Sequence, residues 1–252
     1  MSAGPRAAII LSAGQGKRMR SDLAKVLHKI SGRTLIERSL DTLRNLGLSK
    51  IVIIVGHQGQ AVIDHLQKNC ADLPLEFCWQ KELMGTGHAT AKAEDVLKDF
   101  DGSVLVTFGD VPMLTERTLT RLFEAHENSP AALTCLTANV SKPFGYGRII
   151  RDGNTDRLLR IVEEKDASDE ERKIAEINVG PLCADAGGLF RSLNKISDDN
   201  TQGEYYLTDI VAIQNSEGKI CQICLADNEF EIQGVNSIEQ LEAIERELAG
   251  GS

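Results

Sequence analysis

The sequence predicts an α/β fold, a parallel sheet with helices on both faces, and three observations carry that prediction. Apolar runs of strand length alternate with segments of helical spacing through the first half of the chain. The runs "AAIILSA" (7–13), "IVIIVGH" (51–57) and "SVLVTFGD" (103–110) are continuous rather than alternating, as in strands buried on both faces. Composition is that of an ordinary globular chain: 252 residues, 42% hydrophobic and 26% charged, long enough for a large core.

The elements follow in order. After the first strand, "TLIERSLDTLRNLG" (34–47) sets Leu35, Ile36, Leu40, Leu43 and Leu46 at helical spacing and stops at Gly47. "AVIDHLQK" is helical, "LEFCW" (75–79) a strand, and "GHATAKAEDVLKD" (87–99) a helix. A helix starting at Thr115 and a strand at "AALTCLTA" complete the alternation. Past residue 140 the pattern breaks into shorter strands, "GRIIR", "RLLRIVEE" and "EINVGPLCA", with a charged, exposed segment at 165–173. "LTDIVAIQ" is a helix, opened by Thr208 and Asp209, and "KICQICLA" and "FEIQGVN" are strands. Ser237 opens the last helix, with Gln240 completing a capping box and Ile238, Leu241, Ile244 and Leu248 along one face. The chain therefore reads as one α/β unit whose β-rich second half supplies pocket walls.

Bulk properties exclude several function classes. A net charge of −9 argues against a nucleic-acid-binding protein, so no nucleic acid is expected as a partner. No apolar run reaches the roughly 18 residues of a membrane span, and the short apolar segment of "MSAGPRAAIILSAG" leads straight into glycines, so a secretory signal is not expected. The six cysteines are scattered and suit buried thiols, so a cytoplasmic protein without membrane partners is expected. Cys221 and Cys224 have no second pair and lie in an alternating strand, which argues against a metal or redox motif.

In parallel sheets ligands bind beyond the carboxyl ends of strands. Three such ends stand out: the loop after Ala13, the loop after Val55, and "GDVP" after Phe108. The first opens "LSAGQGKRMRSDLAKVLH" (11–28), which is neither a P-loop nor a dinucleotide fingerprint: Leu11, Arg18 and Met19 stand where those motifs need glycine, Ser or Thr, and glycine. Gly14 and Gly16 let a backbone approach a ligand, and Lys17, Arg18 and Lys25 can neutralise phosphate charge. The alternatives are an ordinary tight turn with a solvated basic face, or a site for a small, dense anion. Asp110, at a buried strand end, either caps the next helix or holds a hard cation; Asn236 is a turn residue or a second oxygen ligand. His28, His57 and His88 have no identifiable nucleophile partner and are read as structural.

The segment 11–28 resembles the signature L-x-A-G-x-G-T-R-M-x-S-x-x-P-K-V-L-H of sugar-activating nucleotidyltransferases. "QKELMGTGHA", "FGDVP", "FGYGRI", "IVEEKDA", "EINVG", "GEYYLTDI" and "IQGVN" follow in order. Together they resemble the uridylyltransferase domain of bacterial N-acetylglucosamine-1-phosphate uridylyltransferases, over about residues 6–248. The first motif is shared by many sugar nucleotidyltransferases; the ordered set is far more specific. The resemblance implies a Rossmann-like, mixed but mainly parallel sheet of the nucleotide-diphospho-sugar transferase type. It implies one domain: a nucleotide-binding half (about 6–140), a sugar-binding half (about 141–236) and a C-terminal helix (237–248).

It also implies a reaction, the Mg2+-dependent transfer of UMP from UTP to N-acetylglucosamine 1-phosphate, giving UDP-N-acetylglucosamine and pyrophosphate. By resemblance, Gly16 and Arg18 surround the triphosphate and Lys25 serves the reacting phosphate. Asp110 and Asn236 match the metal ligands. Ala13, Gly14, Gln80, Gly85 and Thr86 fall where uracil binds, and Gly147, Glu163 and Asn178 where the sugar binds. Three residues depart from the pattern: Lys17 for Thr, Ala24 for Pro and Phe108 for Tyr. They bear on efficiency and specificity, leaving open another sugar phosphate or nucleotide, or a weakly catalytic sugar-nucleotide binder. The chain ends in "ELAGGS" without hexapeptide repeats, so acetyl transfer is not expected.

Overall fold

The computed structural model describes residues 4–250. Strand β1 (Arg6–Ser12) lies inside the sheet, paired on both sides. Its alternate residues feed opposite cores, Ala8 and Ile10 on one face and Ala7, Ile9 and Leu11 on the other, which is why its sequence is apolar throughout. A small hairpin, β2 (Lys29–Ile30) and β3 (Arg33–Thr34), leads into α1 (Leu35–Asp41), whose start Thr34 and Glu37 close as a capping box. There follow β4 (Leu48–Val55), α2 (Gly59–Asn69), β5 (Leu75–Trp79), α3 (Thr86–Ala91), α4 (Glu94–Leu97), β6 (Ser103–Phe108), α5 (Glu116–Glu127) and β7 (Leu133–Asn139). The second half adds β8 (Arg148–Arg151), β9 (Leu158–Val162), β10 (Glu176–Asp185), α6 (Ala186–Leu193), α7 (Asp209–Ser216), β11 (Cys221–Leu225) and α8 (Ile238–Gly250).

The main path of the sheet runs β11-β7-β10-β6-β1-β4-β5. Every pairing along it is parallel except those of β10, which runs against both β6 and β7. The sheet is thus mixed and mainly parallel. The hairpin β8–β9 joins at Ile177↔Arg148 and stands beside the carboxyl ends of β6 and β7. Between Asn178 and Leu182 the β10 register shifts, a bulge that bends the strand where it passes the site. No helix among the described residues is long and apolar enough to cross a membrane.

Three sequence expectations need correction. The helix expected over 34–47 ends at Asp41; Leu43 and Leu46 stay buried, but their N–H groups bond three residues back, as in 3-10 turns. The helix expected over 87–99 is split in the same way between α3 and α4, where Lys92 and Ala93 bond to Ala89 and Thr90. "FEIQGVN" (230–236) is not a strand. The buried Glu231 carboxylate gathers Thr118 Oγ1 at 2.7 Å, Thr115 Oγ1 at 3.2 Å and the N–H groups of Asp227 and Asn228, folding the chain into turns. Helix α6, unanticipated, opens with Gly187 and Gly188, which obscure its helical signal.

α8 buries Ile244 against Met19, Ile30, Leu35 and Val235. The last helix therefore buttresses the loop that follows the first strand.

Candidate active site

The first strand ends at Ser12, and Ala13 and Gly14 begin the turn. Gly16 then takes a φ of 60°, and a Cβ there would lie 2.8 Å from Lys25 Cβ, so the glycine brings the lysine stem against the turn. The 3-10 turn Lys25–Leu27 is pinned by the buried Val26 and Leu27, and Lys25 lines the cavity at the end of β1. The Lys25 ammonium donates to the Asp110 carboxylate and, at 3.2 Å, to Asn236 Oδ1. Asp110 follows β6, and Val235 N–H donates to Asp110 O at 2.8 Å. That backbone bond ties Asn236 to Asp110 although they are far apart in sequence.

Three adjoining cavities meet at Phe108, which lines all of them. One of about 310 Å³ collects Ala13, Gly14, Lys25, Gln80, Gly85, Thr86 and Asp110. A second, of about 220 Å³, collects Gly147, Glu163, Asn178 and Thr208, and shares Thr86 with the first. A third, of about 460 Å³, holds Arg18, Asp110, Asn236 and Gln240. Of the residues singled out from sequence, Gly16 lines none of the three and instead backs Lys25. The Lys17 side chain lies outside the described residues. The loop after Val55 supports the turn from behind, His57 N–H donating to Ala13 O at 3.4 Å.

Local bonding decides what each group has left to offer. Gln80 is only 3% exposed; its Nε2 donates to Gly85 O at 3.1 Å and lies 3.0 Å from His88 Nδ1. With His88 Nδ1 as acceptor both amide hydrogens are engaged, so Oε1 is the amide atom left to accept, and Gln80 lines the first cavity. Gly85 has a φ of 106°, and a Cβ there would meet Tyr205 O at 2.6 Å; only glycine permits this close passage of the chain at Glu204 and Tyr205. In the second cavity Asn178 Oδ1 accepts from Gly180 N–H at 3.1 Å, leaving Nδ2 as donor. Glu163 Oε1 accepts from Thr208 Oγ1 at 2.9 Å. Burial holds the Glu163 carboxyl above its usual range; the Thr208 bond opposes this, and Asp209, Asp166 and Glu204 add to it.

Sequence reasoning missed three participants. Thr208 opens α7 as expected and also fixes Glu163. Phe108 was seen as a departure, but nothing in the sequence shows that it separates three cavities. Gln240 was seen as half of a helix cap, and its place in the third cavity follows only from the fold.

Comparison with known proteins adds an independent line. The family description of the MobA-like NTP transferase domain matches residues 8–204. The chain belongs to that family. It is a nucleotidyltransferase. It is 45% identical over 238 residues to the bifunctional protein GlmU of Geobacter metallireducens, covering 94% of this chain and 49% of that protein. It is 41% identical to the GlmU of Staphylococcus haemolyticus, covering 96% of this chain and 52% of the relative. The chain thus spans about half the length of these curated relatives, and the resemblance read from its motifs is borne out. A crystal structure of a UDP-glucose pyrophosphorylase complexed with UDP-glucose superposes with a TM-score of 0.79, over 98% of this chain and 100% of the other. At 14% identity that likeness establishes the fold, the nucleotide-diphospho-sugar transferase type expected from sequence.

Proposed function

We propose that this chain transfers UMP from UTP to N-acetylglucosamine 1-phosphate, with a divalent cation, Mg2+, releasing pyrophosphate and forming UDP-N-acetylglucosamine. The observation that carries the reading is the meeting of Lys25, Asp110 and Asn236 where the first and third cavities adjoin. Two oxygens, one carboxylate and one carboxamide, already grip a single cationic group, the Lys25 ammonium. That donor set suits Mg2+, which takes few protein oxygens and completes its shell with waters and phosphates. When bound between them, a divalent cation supplies neutralisation of the triphosphate charge that builds up as pyrophosphate departs.

The chain's own residues do the rest. Gln80 Oε1 accepts the uracil N3–H, and the turns at Ala13–Gly14 and Gly85–Thr86 face the base oxygens. Arg18 forks across oxygens of the departing pyrophosphate in the third cavity. In the second cavity Glu163 accepts from sugar hydroxyls and Asn178 Nδ2 donates, so the sugar phosphate reaches the first cavity past Phe108. A phosphate oxygen of the sugar attacks the α-phosphorus in line, the bond to the β-phosphate oxygen breaks, and pyrophosphate leaves. Transfer of this kind needs position and charge neutralisation rather than a nucleophile–base pair. Lys25 supplies the positive charge at the reacting phosphate.

The decisive assay is pyrophosphate release from a panel of nucleoside triphosphates and sugar 1-phosphates, with and without Mg2+. Release is expected with UTP and N-acetylglucosamine 1-phosphate only when Mg2+ is present. Preference for another pair would reassign the substrates, and UDP-sugar binding without release from any pair would reduce the chain to a binder.

A further inference from the structure

The start of α8 departs from an ordinary capping box. Gln240 N–H donates to Ser237 Oγ at 3.3 Å, as the box requires. Its side chain, however, passes over the N–H of Ser237 and accepts from the N–H of Asn236 at 2.7 Å. Asn236 is therefore fixed from both directions: Val235 N–H is held by Asp110 O at 2.8 Å, and its own N–H by Gln240 Oε1. Only the side chain of Asn236 is left to swing, and it reaches into the cation position now taken by Lys25. Gln240 also lines the third cavity, so its amide lies at the site and not merely beneath it.

We propose that Gln240 is a positioning residue for the cation site, holding the main chain of Asn236 so that Oδ1 points at the cation. The inference rests on the reading of Asp110 and Asn236 as cation ligands. Mg2+ and Mn2+ demand oxygens at set places, and a misdirected ligand weakens binding even when its side chain is intact. Loss of the partner that orients a ligand typically costs about 10- to 100-fold in metal affinity.

The test is titration of the full chain with Mn2+, free Mn2+ being followed by electron paramagnetic resonance, and no nucleotide added. Gln240→Met, which keeps length and helix propensity but loses the acceptor, is expected to weaken Mn2+ binding by about 10-fold or more. Gln240→Glu, which keeps an acceptor, is expected to restore it. Ser237→Ala removes the other half of the cap and is expected to lower the melting temperature while leaving Mn2+ affinity in place. In turnover, the Mg2+ concentration for half-maximal rate is expected to rise with the same factor in Gln240→Met. Wild-type Mn2+ affinity in Gln240→Met, or equal weakening by Ser237→Ala, overturns the inference. Asn236→Ala separates the two levels. If it weakens Mn2+ binding while Gln240→Met does not, the inference alone fails. Should the wild-type chain take up no Mn2+ because Lys25 holds the position, the same comparison is made in Lys25→Met. If Asn236→Ala changes nothing there, or Lys25→Met takes up no Mn2+ either, the cation reading fails with it.

Discussion

The Lys25 ammonium joins Asp110 and Asn236, occupying the position between the two oxygens that a divalent cation would need. The pair is sheltered: the Lys25 and Asp110 side chains are 13% and 16% exposed. A buried carboxylate without a counter-charge is costly, so in this state the lysine satisfies Asp110. On the proposed function, a triphosphate entering the cleft would offer the ammonium a denser anion and free the two oxygens. Lys25→Met is therefore expected to bind Mn2+ more tightly than wild type when no nucleotide is present, while its turnover falls by about 10²–10³ through lost charge at the reacting phosphate. Asp110→Asn should lose both Mn2+ binding and turnover yet keep its circular dichroism spectrum. Weaker Mn2+ binding by Lys25→Met would show that the lysine supports the cation instead of standing in its place.

Gln80 supplies the second prediction. With Nε2 committed to Gly85 O and facing His88 Nδ1, its free oxygen favours a base edge with an N–H at that point. Uracil offers one and cytosine does not. Wild type should prefer UTP to CTP, and Gln80→Ala should raise the KM for UTP by roughly 10- to 100-fold, the worth of one such hydrogen bond with its desolvation. Comparison of kcat/KM for the two nucleotides reads it directly; an unchanged preference in the variant would place the base elsewhere.

What was legible in the sequence was whatever local pattern writes twice. β1, β4 and β6 announce themselves because burial on both faces demands unbroken apolar runs, and the turn after β1 because glycines and cations share it. The antiparallel sense of β10 is a different matter: its apolar pattern is the same in either direction, and only its pairing with β6 and β7 reveals it. "FEIQGVN" misleads because its alternation is real, but the burial of Glu231 under Thr115 and Thr118 decides its conformation, and those residues are far away in the chain. The grip of Gln240 on Asn236 hides inside a capping signal, since the same Ser–Gln spacing serves either N–H. Side-chain roles set by long-range partners are the part that no local window contains.

Glu163 makes the site pH-sensitive in a direction that can be worked out. Its carboxyl is raised above the ordinary value of 4.5 mainly by burial. A raised carboxyl disfavours the folded state above its folded pKa, and the penalty is relieved as pH falls from there through the ordinary range. Glu163→Gln should accordingly be more stable than wild type at neutral pH, with the gap closing toward about pH 4 in denaturant titrations. Sugar binding should move oppositely, because the charged acceptor is lost as pH falls: the wild-type KM for the sugar phosphate should rise on acidification, and that of Glu163→Gln should be high and flat. A wild-type KM insensitive to pH in that window would remove Glu163 from the sugar's hydroxyls.

Ala24 stands where the resembling signature has proline, immediately before Lys25. Its φ of −54° and ψ of 133° are values a proline adopts without strain. Its N–H takes part in no hydrogen bond among the described residues, so the substitution removes no donor that is in use. The alanine therefore keeps the proline geometry in the folded state and differs in the unfolded one, which has more freedom to lose. Ala24→Pro should stabilise the chain by about 0.4–1 kcal/mol, a rise of about 1–4 °C in melting temperature for a protein of this size. The competing term is packing, since Ala24 is 5% exposed within the core that holds Val26 and Leu27. A lower melting temperature would mean that the added ring carbons crowd that core by more than the entropy gain. If stability rises and turnover is unchanged, Lys25 is already held by Val26 and Leu27, and the missing proline costs this chain stability rather than catalysis.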